Sequence, residues 1–328
     1  MVTIQERTAV LRPNNTDAEP SLLCNTDLYH TVMKPYKPVK PPVALTIAGS
    51  DSGGGAGIQA DLKTMEAHGV FGTSVLTAVT AQNSNGVHSS HVLPTEEITA
   101  QYEAVTRDFP VGAIKTGMLA TTDVVEAVTE AVDTFAGPIV VDPVMIAATG
   151  DRLLSERAEK AYDALIEAAT VVTPNADEAE VLVGINVDSV DAAEAAGKKL
   201  VTAGADAALI KGGHIEGDDV VDTLVVGDGT DSTVVQFSHE RVDTNATHGS
   251  GCTLSSAIAA RLAHGIGLEA AVEQSVSYMQ RAVQYGIDVG NGPGAVHHMI
   301  DARTKAAYGT VQPESVSSAE ICLPPDTQ

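Results

Sequence analysis

Basic residues are scarce in this chain: 19 Lys and Arg stand against 43 Asp and Glu, for a formal net charge of −24 over 328 residues. Such a surface repels a phosphate backbone, which excludes nucleic acid as a partner. The acid is spread along the chain rather than run together, and only ten lysines are present. That pattern suits a cytoplasm of high salt, where like charges are screened, and points to a halophilic source. Cysteine is rare too. Cys24, Cys252 and Cys322 form no CxxC pair and no even framework, so a reducing cytosol is the expected compartment. No run of eighteen apolar residues occurs, which argues against a membrane span or a membrane partner. The N-terminus has charges and prolines but no apolar core of a secretory signal, so the expected localisation is cytoplasmic. No internal repeat is visible.

Hydrophobic residues make up 44% of the chain, enough for a sizeable core. Residues 1–41 are polar and then proline-rich, ending KPYKPVKPP; they read as a disordered arm and stiff linker. Residues 302–328 read as a flexible tail, which leaves 42–301 as the folded body. Within it, short, largely apolar runs at 43–48, 73–79, 113–115, 138–141, 171–172 and 207–210 alternate with helical patterns. Strands apolar on both faces, separated by helices, predict a mostly parallel sheet covered on both sides. A hairpin across Gly227-Asp228-Gly229 predicts antiparallel strands at one edge of it.

In an open α/β sheet, ligands bind beyond the carboxyl ends of the strands. Polar residues gather at six such ends: Gly49 to Gly57, Gln82-Asn83-Ser84, Lys115 to Met118, Asp142 to Met145, Thr173-Pro174-Asn175 with Glu178, and Lys211 to His214. Six ends in register predict one shared site. Two nucleotide motifs are missing. The loop at 49–57 lacks the Lys-Ser/Thr pair of a P-loop and the glycine spacing of a dinucleotide turn.

The run His248-Gly249-Ser250-Gly251-Cys252-Thr253 precedes an apolar helical pattern from Leu254 to Leu262. Its small residues let successive amides converge at a helix N-terminus, where the dipole favours an anion. Cys252 in that positive end should ionise more readily. An anion cradle holding a nucleophile or base suggests phosphoryl or acyl transfer. Asp142 and Glu178 have the chemistry to organise Mg²⁺ and water around a nucleoside triphosphate, and Lys211 to reach its phosphates. His88, His91, His297 and His298 lack partners at ligand spacing and read as non-ligands.

The segments GSDSGGGAGIQADLKT (49–64), TAVTAQNSNGV (77–87), KTGML (115–119), VDPVM (141–145), TPNADEA (173–179), KGGH (211–214), THGSGCTLSSAIAA (247–260) and GPGAVHH (292–298) follow one another in order. Together they resemble the hydroxymethylpyrimidine/phosphomethylpyrimidine kinases of thiamine biosynthesis, in the ribokinase-like superfamily. The resemblance implies a ribokinase-like three-layer α/β/α sandwich, with ATP and Mg²⁺ as cofactors. It implies two phosphorylations, of 4-amino-5-hydroxymethyl-2-methylpyrimidine and then of its monophosphate. By the same resemblance Asp51 and Gln82 would hydrogen-bond the aminopyrimidine, while Met118 and Val144 would pack on its ring. Gly249, Ser250, Gly251 and Cys252 would form the anion hole, with Cys252 where sugar kinases place an aspartate base. Asp142, Asn175 and Glu178 would arrange Mg²⁺ and water, and Lys211 would bind ATP phosphates. Relatives of this kind are often homodimers; a requirement for a monovalent cation is left open. Pyridoxal kinase is the nearest rival, and a non-catalytic ligand sensor is the rival of another class.

Overall fold

The structure is a computed structural model that describes residues 39–145, 156–227 and 231–300. The expected arm and tail lie outside these residues apart from the last few of the linker. The described residues from Pro41 onward belong to one compact unit.

The chain runs β1 (Val43–Ser50), α1 (Gly57–Ala67), β2 (Phe71–Asn83), β3 (Gly86–Val92), α2 (Thr95–Asp108), β4 (Val111–Thr116), α3 (Thr122–Val132) and β5 (Ile139–Val141). It continues with α4 (Glu156–Glu167), β6 (Val171–Val172), α5 (Ala176–Val183), α6 (Val190–Thr202), β7 (Ala207–Ile210), β8 (Asp219–Val226), β9 (Thr233–Glu240), α7 (Ser250–Ala263) and α8 (Leu268–Gln284). The nine strands form one sheet in the order β3-β2-β1-β4-β5-β6-β7-β8-β9. Pairing is parallel from β2 through β7. It is antiparallel at both ends, where β3 joins β2 and where β8 and β9 follow β7. The expectation of a single antiparallel edge is therefore corrected. The strand that sequence reading missed is β3, whose GVHSSHV lies exposed along nearly all its length and has no apolar alternation to announce it.

Strand periodicity sorts the core into two layers. Leu45, Ile47, Ile114, Ile139 and Val141 face helices α2 to α6. The intervening Ala113, Val140, Val171 and Leu209 face α7 and α8, and Ala44 meets Met65 of α1 and Ala260 of α7. Each fully buried large aliphatic contributes roughly 1.5–3 kcal/mol. Small residues on the second face matter for position more than for burial. Ala44 and Ala113 on the sheet oppose Ala257, Ala259 and Ala260 on α7, all fully buried. This brings the α7 backbone close to the sheet and fixes where its N-terminus ends.

Candidate functional site

The strand order reverses between β1 and β4, since β2 lies on one side of β1 and β4 on the other. A crevice opens beyond the carboxyl ends at such a switch point. Here it is a cleft of about 730 Å³ whose walls include Asp51, Gln82, Met118, Asp142, Val144, Asn175, Glu178, Lys211, Gly249, Ser250, Gly251 and Cys252. All twelve residues singled out from the sequence thus line one cavity.

Gly249 is the N-cap of α7 and has a left-handed backbone, φ 80°. A Cβ there would sit 1.8 Å from the Gly55 carbonyl oxygen, so the loop after β1 and the loop before α7 touch backbone to backbone. The Thr253 amide bonds back to the Gly249 carbonyl at 2.9 Å, and the Ser250 amide to the Thr247 carbonyl at 3.1 Å. Ser250 therefore differs from the expected anion hole: its N–H already has an acceptor, and only its side chain is free to serve. Among the described residues, the amides of Gly249, Gly251 and Cys252 have no backbone acceptor. These are the orphan donors of a helix start.

Cys252 is half-buried. The expectation of an easily ionised thiol is overturned. Burial pushes the thiol up to about 11, and the carboxylates of Asp61 and Asp142 add to this against the opposing pull of Lys115. Desolvation of the thiolate outweighs the helix dipole here.

Asp51, at the end of β1, is 2% exposed. Its Oδ1 accepts the Gly53 amide at 2.8 Å, and its Oδ2 accepts Gly55 at 3.0 Å and Ala56 at 2.8 Å. Oδ2 also lies 3.0 Å from His248 Nε2. Burial pushes the carboxyl up, but the bonds from His248, Ala56 and Gly53 outweigh it and hold the group below its ordinary value. An ionised Asp51 makes His248 Nε2 the donor. The carboxylate is thus largely occupied with shaping its own loop, and one Oδ1 lone pair remains for a ligand. Gln82 sits beside it, its amide accepted by Ser52 Oγ at 2.8 Å. Its side-chain NH₂ group has no hydrogen-bond partner among the described residues. Met118 and Val144 are half-buried on the same wall.

Across the cleft Lys211 Nζ lies 3.1 Å from Asp142 Oδ1 and 3.6 Å from Glu178 Oε2. A Cβ on Gly251 would stand 3.2 Å from Lys211 Nζ, so this cluster adjoins the free amides of α7. Burial would neutralise the Lys211 ammonium, yet Asp142 and Glu178 hold it above its ordinary value. Glu178 is pushed up by burial; Lys211 opposes that shift, and the nearby Asp142 adds to it. Glu178 and Asn175 form the capping box of α5: the Asn175 amide donates to Glu178 Oε2 at 2.8 Å and the Glu178 amide to Asn175 Oδ1 at 2.9 Å. One carboxylate therefore serves a helix start and the cleft at once.

Sequence reading missed the role of His248, and it missed Arg241. The guanidinium of Arg241 donates to the carbonyls of Gly213, Ile215 and Gly217 and so pins the loop after Lys211. His298 Nε2 lies 3.0 Å from the Gly55 carbonyl, and burial lowers its pKa to about 4. Among the described residues no three His, Cys, Asp or Glu side chains gather as a metal cage. No helix among them is long and apolar enough to cross a membrane.

The model of a family described as phosphomethylpyrimidine kinase matches residues 51–297. A hydroxymethylpyrimidine/phosphomethylpyrimidine kinase of Streptomyces coelicolor is 48% identical over 265 residues, which cover 80% of this chain and 97% of that protein. The thiamine biosynthesis bifunctional protein ThiED of Geobacter sulfurreducens is 41% identical over 260 residues, covering 79% of this chain and 52% of that longer protein. The crystal structure of an ADP complex of Bacillus subtilis pyridoxal kinase matches with a TM-score of 0.72 and 35% identity, over 79% of this chain and 98% of that chain.

Proposed function

The chain belongs to the phosphomethylpyrimidine kinase family, and on that premise we propose that it transfers phosphate from ATP to 4-amino-5-hydroxymethyl-2-methylpyrimidine and then to the resulting monophosphate, in thiamine biosynthesis. The observation that carries this reading is the meeting of two groups of atoms in one cleft. Free amides at Gly249, Gly251 and Cys252 stand against Lys211, while Gln82, Met118 and Val144 offer a ring one polar edge and two apolar surfaces.

Phosphoryl transfer asks for positioning and charge neutralisation rather than covalent work by the protein. The three amides and the ammonium are fixed in advance by helix packing and by the ion pairs, which is where their advantage over water lies. In the first step the substrate hydroxyl oxygen bonds to the γ-phosphorus. The bond from that phosphorus to the bridging oxygen breaks, ADP leaves, and the hydroxyl proton passes to the sulfur of ionised Cys252. A phosphate monoester is already anionic, so the second step needs no such acceptor.

The donor set fits Mg²⁺ carried in with ATP. Mg²⁺ keeps several waters and takes one or two carboxylates plus substrate phosphates. Asp142 and Glu178 are two such carboxylates, steadied by Ser255 Oγ at 3.2 Å and by the α5 capping box. We assign them as its holders with Asn175 beside them, and read the protein as a cytosolic homodimer. Light scattering of the purified chain checks the assembly.

The pyridoxal kinase likeness supports a second reading, in which a pyridine carrying a hydroxymethyl group is the substrate. Mass spectrometry of products formed from ATP and Mg²⁺ with each alcohol separates the two. Successive gains of one and two phosphates on the pyrimidine are expected. A single phosphate on pyridoxal alone would overturn the pyrimidine assignment, and binding without ADP formation would make the protein a sensor.

A further inference from the structure

His248 directly precedes the anion hole, yet no step of the proposed reaction uses its side chain. The imidazole is 20% exposed and reaches over the loop after β1, where Nε2 lies 3.0 Å from Asp51 Oδ2. A Cβ on Gly55 would stand 2.3 Å from His248 Cδ2, so the ring rests on the bare Cα of that glycine. The backbone of His248 is held from the other side. Its N–H donates to the Gly294 carbonyl and its carbonyl accepts the Val296 N–H, both at 3.2 Å. These partners belong to GPGAVHH (292–298), a motif that the reaction also leaves unused. The same segment returns to the β1 loop through His298 Nε2, 3.0 Å from the Gly55 carbonyl. Just before it, the Asn291 and Gly292 amides both donate to Ser84 Oγ at 3.1 Å, in the turn that follows Gln82. Three loops of the cleft, after β1, after β2 and before α7, are thus tied to one strap.

The two oxygens of Asp51 are used unequally. Oδ2 takes the Gly55 and Ala56 amides as well as the imidazole, whereas Oδ1 takes the Gly53 amide alone. An oxygen already holding three donors has no room for a fourth, so a ligand N–H is left with Oδ1. An ionised carboxylate only accepts. The ligand group it selects is therefore a donor, and the exocyclic amine of an aminopyrimidine is one. A hydrogen bond to a charged acceptor is roughly twice as strong as a neutral one, and a site built for a donor rejects the analogue that lacks it. His248 is also chained directly to Gly249, the N-cap of α7. Its contact with Asp51 therefore sets where the bound ring stands relative to the free amides.

We propose that His248 is a positioning residue that sets selectivity for the amine: its imidazole occupies Asp51 Oδ2, leaves Oδ1 as the acceptor for the exocyclic N–H, and holds that acceptor in place beside the anion hole. The inference rests on the aminopyrimidine reading of the cleft.

The test is calorimetric titration of the full chain with 4-amino-5-hydroxymethyl-2-methylpyrimidine and with the analogue lacking the 4-amino group. The parent should prefer the amine by about tenfold or more. His248→Leu should lose most of that preference through weaker binding of the amine, with the analogue bound much as before. His248→Gln keeps an N–H near the place of Nε2 and should recover it. Gly55→Ala retains the imidazole but drives it off its seat, and should behave as His248→Leu does. Circular dichroism checks folding in each case. A merely structural role would weaken both pyrimidines alike, so equal losses overturn the proposal, as does a preference retained in His248→Leu or in Gly55→Ala. A parent that binds neither pyrimidine overturns the substrate reading and this inference with it. A preference present in the parent and surviving in the variants overturns this inference alone. Binding needs no turnover, so ADP formation by the parent judges the kinase reading separately.

Discussion

A thiol pushed up to about 11 is almost wholly protonated at neutral pH, yet its rare ionised form is a strong base. Two consequences can be measured. With Cys252 as proton acceptor, the rate of the first phosphorylation should climb about tenfold per pH unit from 7 toward 10, while the second stays nearly flat. Cys252→Ala should remove that slope and slow the first step by roughly 10²–10⁴, with a much smaller loss in the second. Equal losses in separate single-step assays would leave Cys252 only its amide in the anion hole. Lys211 makes a different prediction. Lys211→Met leaves Glu178 buried beside Asp142 with only the Asn175 amide and His214 to oppose these effects. Breaking a buried pair costs on the order of 3–5 kcal/mol; with Lys211 13% exposed, the low end applies. The sign with pH follows from a Glu178 carboxyl raised still further above its unfolded value. Such a group favours the folded state below the unfolded value, and that advantage is lost as pH rises through the folded one. Denaturant melts should therefore show the deficit of Lys211→Met shrinking between pH 8 and pH 5, and ATP binding by calorimetry should weaken at both.

The start of α7 and the start of α5 hold the reacting groups, and each has a weak point. Gly249→Ala puts a methyl where φ is 80° and where the Gly55 carbonyl already stands. A left-handed alanine costs of order 1–3 kcal/mol even in open space; here the two loops must also part. Activity should fall by 10² or more with circular dichroism unchanged, and full activity would show that the amides do not need that contact. In α5, Asn175→Ala removes the cap on Glu178 and should cost about 1 kcal/mol in a urea melt, with Asn175→Asp restoring most of it. The sequence shows these starts plainly, because Gly249 and the Asn175–Glu178 spacing are local signals. It shows the central strands for the same reason: Val43 to Ala48 is apolar on both faces and buried throughout. What it hides is pairing at a distance. The Lys115–Asp61 contact spans 54 positions and His248–Asp51 spans 197, and no periodicity reports either. The β3 strand is hidden differently: Val87 to His91 becomes a strand only because β2 offers it an antiparallel partner. The ready ionisation expected of Cys252 failed because a helix start is a short-range signal, whereas burial depends on everything packed around it.

A sheet with antiparallel strands at both borders places its cleft in the middle, and the whole assembly carries a net charge of −24. The charge does not select the fold; it sets the medium in which the fold is stable. The interior is built on ordinary burial, with two aliphatic layers and small residues under α7, so nothing in the core asks for salt. The chain carries 43 acidic against 19 basic residues, and few of those among the described residues are buried, so the penalty lies chiefly on the surface. Isolated pairs such as Arg107–Glu103 and Lys198–Glu194 are exposed or half-exposed and contribute little each. Self-repulsion is therefore relieved chiefly by mobile ions. The Debye length falls from about 10 Å at 0.1 M salt to about 3 Å at 1 M. KCl should accordingly raise the melting temperature steeply over that range and then level off. NaCl should act alike where screening is the cause, whereas a specific demand for one cation in the cleft would make K⁺ and Na⁺ differ in turnover at equal melting temperature. Scanning calorimetry and ADP release, measured in both salts from 0.1 to 3 M, distinguish these outcomes, and a melting temperature indifferent to salt would overturn the halophilic reading of the acidic surface.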